Sequence, residues 1–130
     1  MRADAGLTLL DTVIGDEAVY EDRAGRRGCP RLAPDGRMLL AARRALPAAA
    51  VRSIGTSARV GGTSACGVEA MEGYAVLRAA ELAGVPAVEV RVISNEIGEP
   101  DRARWHFDEA FAAVAALTPR LVAEVRACLS

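Results

Sequence analysis

Residues 68–95 read VEAMEGYAVLRAAELAGVPAVEVRVISN, and this stretch decides the fold. From Met71 to Ala83, the residues Met71, Tyr74, Ala75, Ala79 and Leu82 recur at helical spacing on one face, which predicts an amphipathic helix. Gly84 stands where a helix-ending glycine is wanted. Val85–Ile93 then alternates as a strand does, with Val88, Val90 and Val92 pointing one way and Ala87, Glu89, Arg91 and Ile93 the other. After the loop Ser94–Arg104 a helical pattern returns. Phe107, Phe111, Val114 and Ala115 share a stripe, and Leu121, Val122, Val125 and Leu129 continue it beyond Thr118-Pro119, where the proline either kinks the helix or caps a second one. Helix, strand, helix, with so apolar a strand between, predicts a parallel strand covered on both faces. The fold class expected is α/β with a mostly parallel or mixed sheet.

Upstream, Val51–Thr56 (VRSIGT) predicts another strand, and the small residues of Ser57–Gly67 let backbone approach a ligand closely. Asp35 is placed as the N-cap of a helix running to about Leu46, with Met38, Leu39, Ala42 and Leu46 on one stripe and Pro47 ending it. Glu21–Pro34 is rich in glycine, proline and charge and reads as an exposed loop. Leu7–Ile14 reads as a short strand ended by Gly15-Asp16, which Ala18-Val19-Tyr20 resumes. No repeat or low-complexity tract interrupts the 130 residues, so a single domain over 1–130 is expected.

Composition excludes several functions. There are 16 arginines, no lysine and 17 acidic residues, for a net charge of −1, so the basic excess that neutralises phosphates is missing and nucleic acid is not an expected partner. No apolar run approaches the roughly 20 residues that span a bilayer. The N-terminus has no signal-peptide pattern, and a cytoplasmic protein with no membrane partner is expected. Cys29, Cys66 and Cys128 are far apart and form no CxxC pair, which argues against a disulfide framework or a zinc site. With His106 as the one histidine and no lysine, neither a multi-histidine metal site nor a P-loop is available, so no metal and no cofactor are expected.

In α/β sheets ligands gather beyond the carboxyl ends of strands, which points to the segment after Thr56 and to Ser94-Asn95-Glu96. The stretch GGTSACG at 61–67 matches neither GxGxxG nor GxSxG. Glu69 and Glu72, three apart, are expected on one side of a helix start. Paired carboxylates there either serve acid/base work, or grip vicinal hydroxyls, or simply favour a first helical turn. His106 reads as a capping or surface group, Trp105 as core or lid, and Glu89 with Arg91 as an ion pair on one strand face.

Four blocks then carry a resemblance: VEAMEGYA at 68–75, Gly84-Val85-Pro86, VRVISN at 90–95, and DRARW at 101–105. In this order they resemble the C-terminal half of the nucleoside phosphorylase and nucleosidase superfamily. EAMEG in the turn, SN after the strand and DRARW in the lid are most similar to its futalosine hydrolase branch, enzymes of menaquinone biosynthesis. Asp11–Tyr20 also resembles that family's mid-chain strand.

The resemblance implies a nucleoside-phosphorylase-like three-layer α/β/α domain, of which this chain is the C-terminal portion. It implies N-glycosidic hydrolysis of a purine nucleoside of the futalosine type. Glu72 takes the place of the glutamate that holds the ribose hydroxyls and faces the oxocarbenium-like charge, and Met71 packs against the sugar. Asn95, after Ser94, takes the place of a leaving-base residue. It offers an amide where methylthioadenosine and adenosylhomocysteine nucleosidases offer an aspartate. Thr56 and Ser57 fall where the base pocket's wall is expected, and Trp105 where a lid closes. The family's first half, with its water-activating acid, has no counterpart before Leu7, so isolated activity is not expected, and a homo-oligomer or pairing with a missing N-terminal half is. The alternatives are a methylthioadenosine-type nucleosidase or purine nucleoside phosphorylase, and a non-catalytic remnant that binds a nucleoside or a partner chain.

Overall fold

The computed structural model describes residues 6–21, 29–59 and 66–130. Its central strand is β1 (Thr12–Glu21), in which Val13, Ile14, Ala18 and Val19 are buried. Two adjacent buried residues, twice over, mark a strand covered on both faces. The sequence reading ended a strand at Gly15-Asp16, yet β1 runs through them. Its pairing with β3 (Ala50–Ser57) slips between Gly15 and Glu17, which leaves Asp16 as the extra, exposed residue of a bulge. Gly15 lets the sheet close there, since a Cβ on it would stand 3.0 Å from Ile54 Cδ1. The strand also begins later than expected. Before Thr12 the chain turns, with the Thr8 N–H donating to Asp11 Oδ2 at 2.9 Å and Leu10 at φ 70°.

β3 runs parallel to β1, and β4 (Val68–Ala70) parallel to β3. The other edge of β1 is shared by two antiparallel partners, β2 (Arg31–Leu32) at Ala18–Val19 and β5 (Glu89–Val92) at Thr12–Gly15. The sheet is therefore mixed. The strand expected at Val85–Ile93 is shorter and antiparallel, and most of it is only half-buried. Its apolar alternation reports which face each side chain takes, but carries no information about strand direction. Val13, Ile54 and Val68, from three neighbouring strands, form the core cluster.

Helix α1 (Gly36–Ala45) is capped as expected, Asp35 Oδ1 accepting from the backbone N–H groups of Arg37 and Met38 at 2.9 and 3.1 Å. Met38, Ala41, Ala42 and Ala45 are its buried face. Helix α2 (Gly73–Leu82) begins two residues later than Met71, because 68–70 is drawn into β4. Its buried residues are Gly73 and Leu77, while Leu82 is 72% exposed, so the face expected from a Met71 start is displaced. Gly84 takes the left-handed φ of +67° that ends the helix. Helix α3 (Phe107–Leu129) continues through Pro119, so no second helix is capped there. Thr118 Oγ1 donates to the Val114 carbonyl at 2.6 Å, one turn back. α3 packs on α1, but only Ala110 of its 23 residues is buried. Among the described residues no helix is long and apolar enough to cross a membrane.

Candidate functional site

A cavity of about 620 Å³ draws its walls from β4 and the turn after it, from β5 and the segment that follows, and from the Leu7–Leu9 turn. Met71, Arg91, Ser94, Asn95 and Trp105 all line it. These residues converge through long-range folding, since β4 and β5 lie on opposite sides of the β1–β3 pair.

Asn95 is held at both ends of its amide. Its Nδ2 donates to the Glu96 carbonyl at 2.9 Å, and its Oδ1 accepts from Ser94 Oγ at 2.7 Å. A carbonyl only accepts, so the Glu96 contact decides which end of the amide carries the N–H groups. One N–H and one lone pair remain for a ligand with paired donor and acceptor atoms. Trp105 is fixed just as firmly. Its indole N–H donates to the Glu99 carbonyl at 3.0 Å, its ring meets Phe107 edge-on, and the Arg102 guanidinium lies 5.3 Å from the ring centroid. The segment carrying it is closed at its base by the His106 N–H donating to the Ser94 carbonyl at 2.8 Å. Glu99 braces it from within, accepting from the Asp101 N–H at 3.0 Å and pairing with Arg104 at 3.3 Å. His106 itself stands as the N-cap residue of α3 without a side-chain cap bond, its Nδ1 3.5 Å from Glu109.

Glu72 lies beside the cavity rather than in its wall. Its side chain is 66% exposed, and Arg91 Nη2, from the wall, reaches its Oε2 at 3.3 Å. Glu69 does not share a helix turn with it, as the spacing suggested, because Glu69 belongs to β4. Thr56 and Ser57 do not join the cavity either. Thr56 is 2% exposed, and its Oγ1 accepts the Tyr74 N–H at 2.8 Å, satisfying a free donor at the start of α2. Ser57 turns back on Arg59. Thr56 is level with Tyr20 of β1 and Ala70 of β4, and its side chain is turned into the start of α2 rather than toward the cavity that Ala70 lines. Of the glycine-rich segment proposed for ligand approach, residues 60–65 lie outside the described residues.

The sequence pattern predicts an ion pair between Glu89 and Arg91 on one strand face, and the pair exists, Arg91 Nε to Glu89 Oε1 at 2.8 Å. The pattern misses that the same guanidinium reaches Glu72, 19 residues away in sequence, and it misses Glu99. The site thus joins a carboxylate, a guanidinium, an oriented amide and an indole. That set suits a polar ligand with hydroxyls at one end and a planar, hydrogen-bonding ring at the other.

Residues 58–129 match the family model of the phosphorylase superfamily. A futalosine hydrolase of Streptomyces coelicolor is 52% identical over 46 residues, which are 35% of this chain and 20% of that protein. One from Thermus thermophilus is 44% identical over 57 residues, 44% of this chain and 25% of that protein. Among solved structures, a 5′-methylthioadenosine/S-adenosylhomocysteine nucleosidase from Neisseria meningitidis, in complex with methylthio-immucillin-A, superposes with a TM-score of 0.65 at 27% identity. It covers 93% of this chain, which spans 63% of its length. A futalosine hydrolase mutant of Helicobacter pylori shares the fold with a TM-score of 0.72 at 14% identity, over 92% of this chain and 63% of that one.

Proposed function

The chain belongs to the phosphorylase superfamily, and on that premise we propose that it binds a purine nucleoside as part of a site that hydrolyses the N-glycosidic bond. The observation that carries this reading is the convergence of Met71, Arg91, Asn95 and Trp105 on one cavity with Glu72 tied to it through Arg91. In this reading the Glu72 carboxylate accepts from the ribose 2′- and 3′-hydroxyls and opposes the positive charge that the sugar develops as the base departs. Asn95, its amide already oriented, donates to one nitrogen of the base and accepts from the other polar edge, stabilising a leaving group without ionising itself. Met71 packs the sugar, and Trp105 excludes water from the base.

The similarity to futalosine hydrolases favours a futalosine-type nucleoside, a substrate of menaquinone biosynthesis, over methylthioadenosine. In this reading turnover needs more of the superfamily fold than these 130 residues, which span 63% of the nucleosidase from Neisseria meningitidis. Exposed Phe107, Phe111 and Val122 on α3 favour association with another chain, either a second copy or a first half supplied separately.

The test is to measure inosine binding by calorimetry, mass by light scattering, and hypoxanthine release from inosine and futalosine. Each is done with and without a separately expressed first half of a related enzyme. The expected result is binding by the chain and release only on addition of that first half. Absence of both binding and release in every mixture contradicts the reading. Turnover by a monodisperse monomer on its own contradicts the assignment of catalysis to the larger fold.

A further inference from the structure

Glu89 has no part in the mechanism above, yet it is the most buried residue of β5, at 8% exposure. An apolar residue is the ordinary choice for such a position, since a buried carboxylate is unfavourable unless it is paired. Three features surround its carboxylate. Oε1 accepts from Arg91 Nε at 2.8 Å, and Oε2 is buried with no hydrogen-bond partner among the described residues. Both oxygens press against Gly73, so closely that a Cβ added there would collide with them. Gly73 is the first residue of α2, whose amino end carries positive dipole, so the anion rests between a guanidinium and a helix start.

Arg91 is the link to the site. A guanidinium commonly meets a carboxylate as a two-pronged fork that occupies both its oxygens. Here Glu89 holds the Nε edge, and only one nitrogen, Nη2, reaches one oxygen, Glu72 Oε2, at a long 3.3 Å. We propose that Glu89 is a positioning residue that holds Arg91 back, so that Glu72 keeps acceptor capacity for a vicinal diol, and that position 73 is glycine because the Glu89 carboxylate fills its side-chain space. The proposal rests on the ribose reading of Glu72. It also accounts for the EAMEG form of the turn: glycine at 73 and glutamate at 89 form one steric unit.

The experiment uses the full chain with four readouts. The first is the Arg91 Nε–H resonance in ¹⁵N-labelled protein. The second is the dissociation constant for inosine, and the third its value in Glu72→Gln. The fourth is a thermal-stability cycle of Gly73→Ala, Glu89→Val and the double variant. Glu89→Gln, which keeps size and removes charge, is expected to shift the Arg91 signal, speed its exchange with water and weaken inosine binding about tenfold. Gly73→Ala is expected to lower Tm in the parent and to be largely rescued when Glu89 is also replaced by Val. An unmoved Arg91 signal, or a Gly73→Ala cost that is the same in both backgrounds, overturns the proposal. So does Glu89→Gln binding within twofold of the parent while Glu72→Gln binds weakly. If Glu72→Gln itself binds like the parent, the ribose reading falls, and the Arg91 signal and the stability cycle report separately whether Glu89 still holds the arginine.

Discussion

The middle of the sheet and its charged rim beside the cavity are built from opposite materials. In the middle, Val13, Ile14 and Ile54 are fully buried on adjacent strands, and their register is set by backbone ladders and apolar contact. At the rim, Glu72, Arg91 and Glu89 form a charged chain from a helix cap to a strand, with exposure falling from 66% at the Glu72 side chain to 7% at that of Glu89. Apolar burial is non-directional and tolerates sliding, whereas a guanidinium shared between two carboxylates demands fixed geometry. On the proposed reading the middle supplies stability and the rim supplies recognition, and substitutions should separate the two.

The largest expected effect is Ile54→Ala. It empties the centre of the core cluster and should cost ~2–5 kcal/mol, lowering Tm by roughly 10 °C or more. Inosine affinity measured well below the transition should stay within twofold. An affinity loss matching the stability loss would merge the two regions into one. Trp105→Ala should do the reverse. Its removal takes a large face from the cavity and should weaken nucleoside binding by about tenfold, or ~1.4 kcal/mol, with a smaller change in Tm. Calorimetry and thermal melts on the same preparation decide it.

How much of this was legible beforehand depends on the range of the forces involved. Asp35 and the terminal Gly84 act within a few residues and follow from local pattern alone, whereas the stripe of α1 follows only in part: Met38 and Ala42 are buried, Leu39 and Leu46 are half-buried, and Ala41 and Ala45 complete the face. The direction of β5 was not, because alternation at 88–92 is the same for a parallel or an antiparallel partner. β4 was hidden because three residues leave no period to count, and its loss moved the start of α2 from Met71 to Gly73. The bulge at Asp16 imitated a strand end, since glycine followed by aspartate usually marks a turn. In the site, Met71, Glu72, Asn95 and Trp105 were named through resemblance. Thr56 was named the same way, but its side chain is 2% exposed and lies outside the cavity lining, accepting the Tyr74 N–H. The chain Glu89–Arg91–Glu72 spans two elements and could not be seen from spacing on either.

Smaller effects sharpen the boundary between the regions. Gly15 sits on it, with a built Cβ 3.0 Å from Ile54 Cδ1 and 3.5 Å from Glu89 Cβ. Gly15→Ala should cost about 1–3 kcal/mol by overpacking. Of the core variants, it alone should also disturb ligand affinity, measured as above. Asp35→Ala, remote from both, should lower stability by ~1 kcal/mol through loss of the cap and leave binding untouched. Asn95→Asp should leave Tm nearly unchanged while adding a titratable group to the cavity wall. In an active assembly its kcat/KM profile should gain a new acidic limb and shift toward adenine-type leaving groups. Identical profiles and base preference would put Asn95 outside the base site.

The central claim, that Glu72 is the carboxylate that grips ribose, is tested most directly by comparing Glu72→Gln with Glu69→Gln in the same active assembly. Losing a charged acceptor that also stabilises the cationic transition state costs roughly 2–4 kcal/mol. kcat/KM for base release should then fall about 30-fold or more in Glu72→Gln, at ~1.4 kcal/mol per decade, and much less in Glu69→Gln. Base release within twofold of the parent in Glu72→Gln, or a larger loss in Glu69→Gln, would contradict the account.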